Sequence, residues 1–217
     1  MIGFGQTAKD YFDKAYNNES DYQYQIDNYT KCLKIDPDYY SAYNNRGIAY
    51  KDLGNYKDAI ADYTKAITID ADYAKAYGNR GNAYYDLGNY EDAMDDFARA
   101  ISILPDSADT YYNRGNVYYN RGNYKDAIAD YSRAIRIDPS VAAVYYNRGI
   151  TYDGLESYKD AIVDYTMAIR INPDYASAYK NRGIAKQDVG LSYCSDYKRA
   201  CDLGKENCCE WYYKQGR

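Results

Sequence analysis

Residues 43–47 read Tyr43-Asn44-Asn45-Arg46-Gly47, and close variants of this pentapeptide return every 34 residues along the chain. The later copies are Tyr77–Gly81, Tyr111–Gly115, Tyr145–Gly149 and Tyr179–Gly183. A fixed period of this size is typical of one supersecondary unit stacked on copies of itself. The period therefore predicts a solenoid, an architecture that usually binds partners along an extended face.

The residues around the pentapeptide repeat with the spacings of two helices. With Tyr40 as position 1, alanine recurs at positions 20 and 27 and an aromatic residue at position 24, so these residues share one helix face. Glycine at position 15 suits the turn after the first helix. Glu156 replaces it in one repeat, so we expect that turn to differ, with Gly154 compensating. Glycine at position 8 costs about 1 kcal/mol in a helix, which predicts a close helix–helix contact there.

The full pattern resembles the tetratricopeptide repeat over residues 6–203. The matching features are the aromatic residue at position 4, Gly at 8, Tyr at 11, Ala at 20, the aromatic residue at 24, Ala at 27 and Pro at 32. The resemblance implies an all-α, right-handed superhelical solenoid of antiparallel helix pairs, whose first helices line a concave groove.

The resemblance predicts that the whole chain, 1–217, forms a single solenoid. Its parts are a degenerate repeat 6–39, full repeats 40–73, 74–107, 108–141 and 142–175, a shortened repeat 176–205, and a capping helix with a tail at 206–217. Asp196-Tyr197 follows Asp62-Tyr63 by 134 residues, two short of four periods. We therefore expect a shortened turn near Val189–Ser192.

The composition of the chain argues against several classes of function. The chain has a net charge of −5 and no clustered Lys and Arg, which argues against nucleic-acid binding. It has no His, the commonest general base and metal ligand, and no nucleophile–base constellation. No stretch approaches the length of about 18 apolar residues that a membrane span needs. We expect a protein that is not an enzyme, has no cofactor or metal, and does not insert into membranes.

Two charged positions vary together. Positions 7 and 23 are apolar in the family but carry arginine and aspartate here, and the degenerate first repeat has Phe12 and Asn28 instead. The pairs are Arg46 with Asp62, Arg80 with Asp96, Arg114 with Asp130, Arg148 with Asp164, and Arg182 with Asp196. Joint presence predicts bidentate ion pairs between stacked helices. The alternative is that the five arginines are free to bind an acidic ligand.

Position 6 carries asparagine in every repeat after the first: Asn45, Asn79, Asn113, Asn147 and Asn181. Asparagine is a mediocre helix former, and its amide can donate to and accept from a peptide backbone. In similar tetratricopeptide proteins, Asn at this position faces the groove and holds bound peptide. The alternative is that these amides only bond neighbouring helices.

Tyrosines outside the core pattern accompany this ladder. Positions 5 and 12 should face the groove and hold Tyr85, Tyr112, Tyr119 and Tyr146, with Asn82 and Asn116 at position 9. Tyrosine is favoured in binding surfaces, although these could be ordinary surface residues. Only Lys75 and Lys180 are cationic at positions 2 and 5, so an acidic C-terminal tail is not the expected ligand.

We therefore expect a scaffold that binds an extended peptide or partner protein in the groove. The alternative is a self-assembling module that forms homo-oligomers through its ends or Tyr-rich faces.

Four of the five cysteines crowd the C-terminus, whereas Cys32 occupies the position of a core alanine. Ala200-Cys201-Asp202-Leu203-Gly204, followed by Cys209, resembles the cysteine-bearing Sel1-like repeats of secreted bacterial proteins. The resemblance implies a disulfide from Cys201 to Cys209, with Cys208 as the alternative partner. A disulfide would indicate an exported or periplasmic location. The alternative is reduced thiols in the cytoplasm, and no signal peptide is visible at the start of the sequence.

Overall fold

A computed structural model describes residues 6–18 and 20–205, which form α-helices and no β-strand. The twelve helices of this part are α1 (Ala8–Tyr16), α2 (Tyr22–Ile35), α3 (Tyr40–Asp52), α4 (Tyr56–Ile69), α5 (Ala74–Asp86), α6 (Tyr90–Ile103), α7 (Ala108–Asn120), α8 (Tyr124–Ile137), α9 (Ala142–Asp153), α10 (Tyr158–Ile171), α11 (Ala176–Asp188) and α12 (Cys194–Asp202). The all-α class and the helix-pair repeat are confirmed. None of these helices is both long and apolar enough to cross a bilayer.

The helices belong to two compact units. The N-terminal unit ends at Pro105 and contains α1–α6, and the C-terminal unit begins at Asp106 and contains α7–α12. Within each unit, consecutive helices pack against each other in pairs. One continuous solenoid over the whole chain stays a prediction.

The glycine at position 8 allows the two helices of a repeat to touch. A Cβ on Gly115 would lie 2.7 Å from Cε1 of Tyr131, and one on Gly47 would lie 2.7 Å from Cε1 of Tyr63. Both tyrosine rings are buried. The predicted close contact is confirmed in these repeats, because a side chain at Gly47 or Gly115 would displace a core ring.

The turn within each repeat depends on a left-handed residue at position 15. Gly122 has φ +77°, and the next residue donates its backbone N–H to the carbonyl of Tyr118 at 2.9 Å. Glu156 has φ +58°, and the next residue, Ser157, donates its backbone N–H to the carbonyl of Tyr152 at 2.9 Å in the equivalent bond. The expectation of a different turn is therefore wrong, because Glu156 adopts the left-handed conformation itself.

The last described repeat differs from its prediction as well. Residues 189–193 separate α11 from α12, whereas only residues 53–55 separate α3 from α4. The expected shortening is not in the turn: α12 has 9 residues where α4 has 14. Leu191 follows the turn glycine Gly190 where other repeats have Asn or Ser. The second helix of this repeat begins later than in the other repeats, at Cys194. The predicted capping helix at 206–217 lies outside the described residues.

Candidate peptide-binding surface

The predicted ladder of arginine and aspartate is present in both units. Arg80 donates from Nε and Nη2 to the two carboxylate oxygens of Asp96 at 2.8 and 2.7 Å, and Arg114 does the same to Asp130 at 2.7 and 2.9 Å. The pairs of Arg46, Arg148 and Arg182 have the same fork geometry. These side chains are mostly buried. The alternative of arginines free for an acidic ligand is wrong.

A third partner, missed at the sequence level, completes most of these pairs. Nη1 of Arg46 donates to Thr30 Oγ1 at 3.0 Å, and Nη1 of Arg148 donates to Ser132 Oγ at 2.8 Å. Arg80 and Arg182 bond Thr64 and Thr166 in the same way. Each of these arginines thus joins its own helix pair to the second helix of the preceding repeat. The recurrence of Thr or Ser at position 25 was the signal for this bond.

The pKa shifts of Arg80 and Asp96 agree with their role as an ion pair. Hydrogen bonding to Asp96 raises the pKa of Arg80, whereas burial raises the pKa of Asp96 despite its bonds to the guanidinium. Burying both charges therefore has a cost that their contact must offset. The ladder fixes how the helices stack, and it leaves ligand binding to the neighbouring uncharged side chains.

Asparagines of the N-terminal unit form a chain of amides between α3 and α5. Nδ2 of Asn79 donates to Oδ1 of Asn44 at 2.9 Å, and Nδ2 of Asn44 donates to Oδ1 of Asn45 at 3.0 Å. Asn44 is only 3% exposed. Asn79 and Asn45 are therefore joined through a buried amide that the sequence reasoning did not single out.

In the C-terminal unit, tyrosines and asparagines are brought together across α7, α9 and α11. Nδ2 of Asn147 donates to Oη of Tyr112 at 3.0 Å and to Oδ1 of Asn116 at 3.1 Å. Nδ2 of Asn181 donates to Oη of Tyr146 at 3.2 Å. Each of these bonds joins the first helix of one repeat to the first helix of the next. These amides therefore bond neighbouring helices, as in the alternative considered for the asparagines at position 6.

Two of the asparagines predicted to lie in the groove do not form such hydrogen bonds between helices. Asn82 on α5 and Asn113 on α7 are half-buried and make no side-chain hydrogen bond to any part of the chain that the structure describes. Their donors and acceptors therefore remain available at the surface. This distinguishes them from Asn79, Asn147 and Asn181.

The tyrosine rings of the surface are held by other rings. Tyr146 lies 4.8 Å from Tyr175 and 5.8 Å from Tyr165, measured between ring centroids. Burial raises the pKa of Tyr146 and raises that of Tyr175 to about 12. Tyr119 lies 5.5 Å from Tyr124. In the N-terminal unit Tyr85 lies 5.8 Å from Tyr90. The phenols of Tyr146 and Tyr175 are therefore neutral at physiological pH.

One acidic residue interrupts the aromatic pattern. Position 12 holds Tyr85 and Tyr119 in two repeats but Asp153 in α9. Oδ2 of Asp153 accepts a hydrogen bond from Oη of Tyr165, and its Oδ1 is buried with no partner among the described residues. Burial raises the pKa of Asp153. The sequence reasoning missed this residue, although a carboxylate at a tyrosine position was a signal.

The cysteines are described only in part. Cys32 is a buried free thiol in the core, as expected, and Cys194 is an exposed free thiol. Cys201 lies in α12, but Cys208 and Cys209 lie outside the described residues. The pairing of Cys201 with Cys209 stays a prediction.

Comparison with known proteins places this chain among repeat proteins. A family model described as "Tetratricopeptide repeat" matches residues 40–73, 108–141 and 142–175, and one described as "TPR repeat" matches residues 81–122. The chain belongs to the tetratricopeptide repeat family. Members are in general non-enzymatic and bind proteins or peptides, and this chain is a protein-interaction scaffold.

Solved structures share the fold. The MamA protein is 26% identical with a TM-score of 0.70, over 77% of this chain and 92% of that one. YrrB, titled "a TPR protein with an unusual peptide-binding site", is 21% identical with a TM-score of 0.71, over 86% of this chain and 97% of that one. The Cut9–Hcn1 hetero-tetramer of the APC/C is 17% identical with a TM-score of 0.76, over 96% of this chain and 42% of that one. No curated protein matches the sequence.

Proposed function

We propose that each unit binds an extended peptide segment of a partner protein on the face formed by its first helices. In the C-terminal unit this surface consists of Tyr112, Asn113, Asn116, Tyr119, Tyr146, Asn147 and Asn181, and in the N-terminal unit of Asn45, Asn79, Asn82 and Tyr85. The uncommitted amide of Asn113 is the observation that carries the proposal. A peptide backbone offers the acceptor and donor that this amide lacks.

The remaining side chains of the surface have a supporting role. Asn147 and Asn181 hold the hydroxyls of Tyr112 and Tyr146, so these rings are ordered before a ligand arrives. Preorganised aromatic side chains lose little entropy on binding. We therefore assign contact with peptide backbone to Asn113 and Asn82, and positioning of the rings to Asn147 and Asn181.

The test begins with peptides selected from a displayed random library by the full chain. Calorimetry should show that Asn113→Ala weakens their binding about tenfold, the loss expected for one good hydrogen bond, without lowering the melting temperature. Asn147→Ala should lower both affinity and melting temperature, because it also breaks bonds between α7 and α9.

Asn123→Ala is the matched control, since Asn123 is an exposed asparagine whose side chain caps no backbone N–H. It should leave peptide affinity unchanged. Unchanged affinity in Asn113→Ala, or loss of its fold, would contradict the assigned role.

The proposal describes a non-catalytic scaffold that binds neither nucleic acid nor cofactor. The net charge of −5 supports the exclusion of nucleic acid, and the lack of His supports the exclusion of general-base chemistry. A filter-binding assay with single-stranded RNA tests the first point. Salt-sensitive RNA binding would contradict it.

Self-association is the second candidate function. Exposed aromatic rings on the first repeat favour it, since Tyr16 is 62% exposed and Tyr24 is 39% exposed. Light scattering should then show a mass that rises with concentration and falls in Tyr16→Ser. A constant monomer mass would exclude this candidate.

An exported location is proposed on the resemblance of the Cys201 region to Sel1-like repeats. Non-reducing peptide mapping of protein kept in an oxidising environment should find Cys201 linked to Cys209, or to Cys208. Complete alkylation of Cys201 without reductant would favour the cytoplasm instead.

A further inference from the structure

Gly78 is a mid-helix glycine that no packing contact explains. Glycine inside a helix is destabilising relative to alanine. At position 8 the reason is visible, because a Cβ on Gly81 would lie 2.9 Å from the ring of Phe97. A Cβ on Gly78 would have no atom within 4 Å, and Gly78 has no positive φ. Neither a close approach nor a turn therefore requires glycine here.

The repeat register places Gly78 on the proposed peptide-binding face. Gly78 occupies position 5, where α7 and α9 carry Tyr112 and Tyr146 and where α3 carries Asn44. All three of those side chains fill space beside the next asparagine of the ladder. Gly78 has no side chain at this position, which leaves a notch on the face of α5.

An available hydrogen-bonding group flanks this notch. Asn82 lies four residues further on, so it shares the helix face of Gly78. Its half-buried amide makes no side-chain hydrogen bond among the described residues. The notch and the available amide therefore lie one helical turn apart, about 6 Å.

We propose that Gly78 determines specificity, because its notch admits one large side chain of the bound peptide while Asn82 bonds the adjacent peptide backbone. This inference rests on the proposed function. Position 5 is filled by tyrosine in α7 and α9, so a large ligand side chain is selected at α5 and excluded at the equivalent place on those helices.

The test compares peptide selection by the full wild-type chain and by Gly78→Tyr from the same displayed random library. Peptides selected by the wild type should share a large residue at one position. They should bind Gly78→Tyr at least about tenfold more weakly, and Gly78→Tyr should select a small residue there instead. The melting temperature of Gly78→Ala should not fall below that of the wild type, because an added Cβ meets open space. Gly78→Tyr should remain folded, since tyrosine already occupies this position in α7 and α9.

Ala61→Tyr is the control, since it adds the same ring at an exposed position of α4 and should leave peptide affinity unchanged. Equal residue preferences in the two selections, or wild-type affinity in Gly78→Tyr, would overturn the role of Gly78. If Asn113→Ala and Asn82→Ala still weaken binding in that case, the proposed function survives and only this inference fails. If they do not, or if no peptide is selected, both are overturned.

Discussion

The repeated core tyrosines differ in how their hydroxyls are satisfied. Tyr131 Oη donates to Oδ1 of Asn116 at 2.7 Å. The hydroxyl of Tyr63 is buried with no partner in the described part of the chain. The reason lies in the opposing helix, where Ile48 occupies the position that Asn116 has in α7. Phe97 occupies the same core position in another repeat, so the hydroxyl is not needed for packing.

This difference predicts opposite results for one substitution at two equivalent sites. Tyr63→Phe should leave the free energy of unfolding unchanged or raise it by about 1 kcal/mol, because it removes an unsatisfied buried hydroxyl. Tyr131→Phe should lower it by about 1 kcal/mol, because Asn116 loses a donor. Urea denaturation measures both. Similar losses in the two variants would show that Tyr63 has a partner in solution.

Asp153 predicts a pH-dependent effect on stability. Burial raises its pKa in the folded state, so the folded protein binds this proton more tightly than the unfolded chain does. The stabilisation is complete below the unfolded pKa of about 4 and is lost as pH rises through the folded pKa. Asp153→Asn keeps an acceptor for Tyr165 without the charge. It should therefore become increasingly more stable than the wild type from pH 4 to pH 7, as measured by thermal unfolding.

Asp138 is the control for this prediction because its shift has the other sign. Hydrogen bonds from Ser140 lower the pKa of Asp138, so its stabilisation is present above the unfolded pKa and is lost as pH falls. Asp138→Asn should accordingly be less stable than the wild type near neutrality, with the difference shrinking in acid. The same pH trend in both variants would contradict the assignment to Asp153.

Single residues also show what the sequence could not decide. The pattern placed Asn113 and Asn147 on one surface, and it does not distinguish them because they occupy the same repeat position. Whether an amide is bonded depends on a neighbour within about 3 Å, here the hydroxyl of Tyr112 beside Asn147. The choice of tyrosine at position 112 therefore decides whether Asn147 is bonded, which the asparagine ladder alone does not show.

At the scale of helices and turns, the spacing of residues predicted the helix pairs, but the turns depended on backbone torsion angles. Glu156 takes a left-handed conformation that residue type disfavours without forbidding, at a cost of about 1–2 kcal/mol. In the last repeat the count of missing residues was right, and it could not show whether the turn or the helix absorbs them. The structure shows that the helix absorbs them, since α12 has 9 residues where α4 has 14.

The turn at Glu156 gives a stability prediction. Glu156→Gly should raise the free energy of unfolding by about 1 kcal/mol, because glycine removes the left-handed strain while the Ser157-to-Tyr152 bond remains. Gly122→Ala at the matched turn should lower it by a similar amount. Denaturant midpoints of the two variants test this. A loss of stability in Glu156→Gly would show that its side chain supports the turn.

At the scale of the whole molecule, the 34-residue period decided the fold class, and the paired charges identified the ladder that links the repeats. Both were predictable because stacked repeats impose the same environment on equivalent residues. The ladder occurs in both units and is missing from the first repeat, where Phe12 packs 4.9 Å from Tyr39 instead. Aromatic packing thus takes the place of the ion pair in the first repeat.

The ladder makes the last prediction. Arg114 is the best test because, among the described residues, its side chain donates hydrogen bonds to Asp130 alone. Arg114→Leu should lower the free energy of unfolding by about 3 kcal/mol, because it leaves a buried carboxylate without its partner. The double variant Arg114→Leu with Asp130→Leu should be more stable, by about 2 kcal/mol, than the sum of the two single losses would predict. Adding Asp126→Leu, on an exposed carboxylate of the same helix, should be additive. Additive losses for Arg114 and Asp130 would mean that the pair is not coupled, and the packing of α7 against α8 would then depend on the contact between Gly115 and Tyr131 instead.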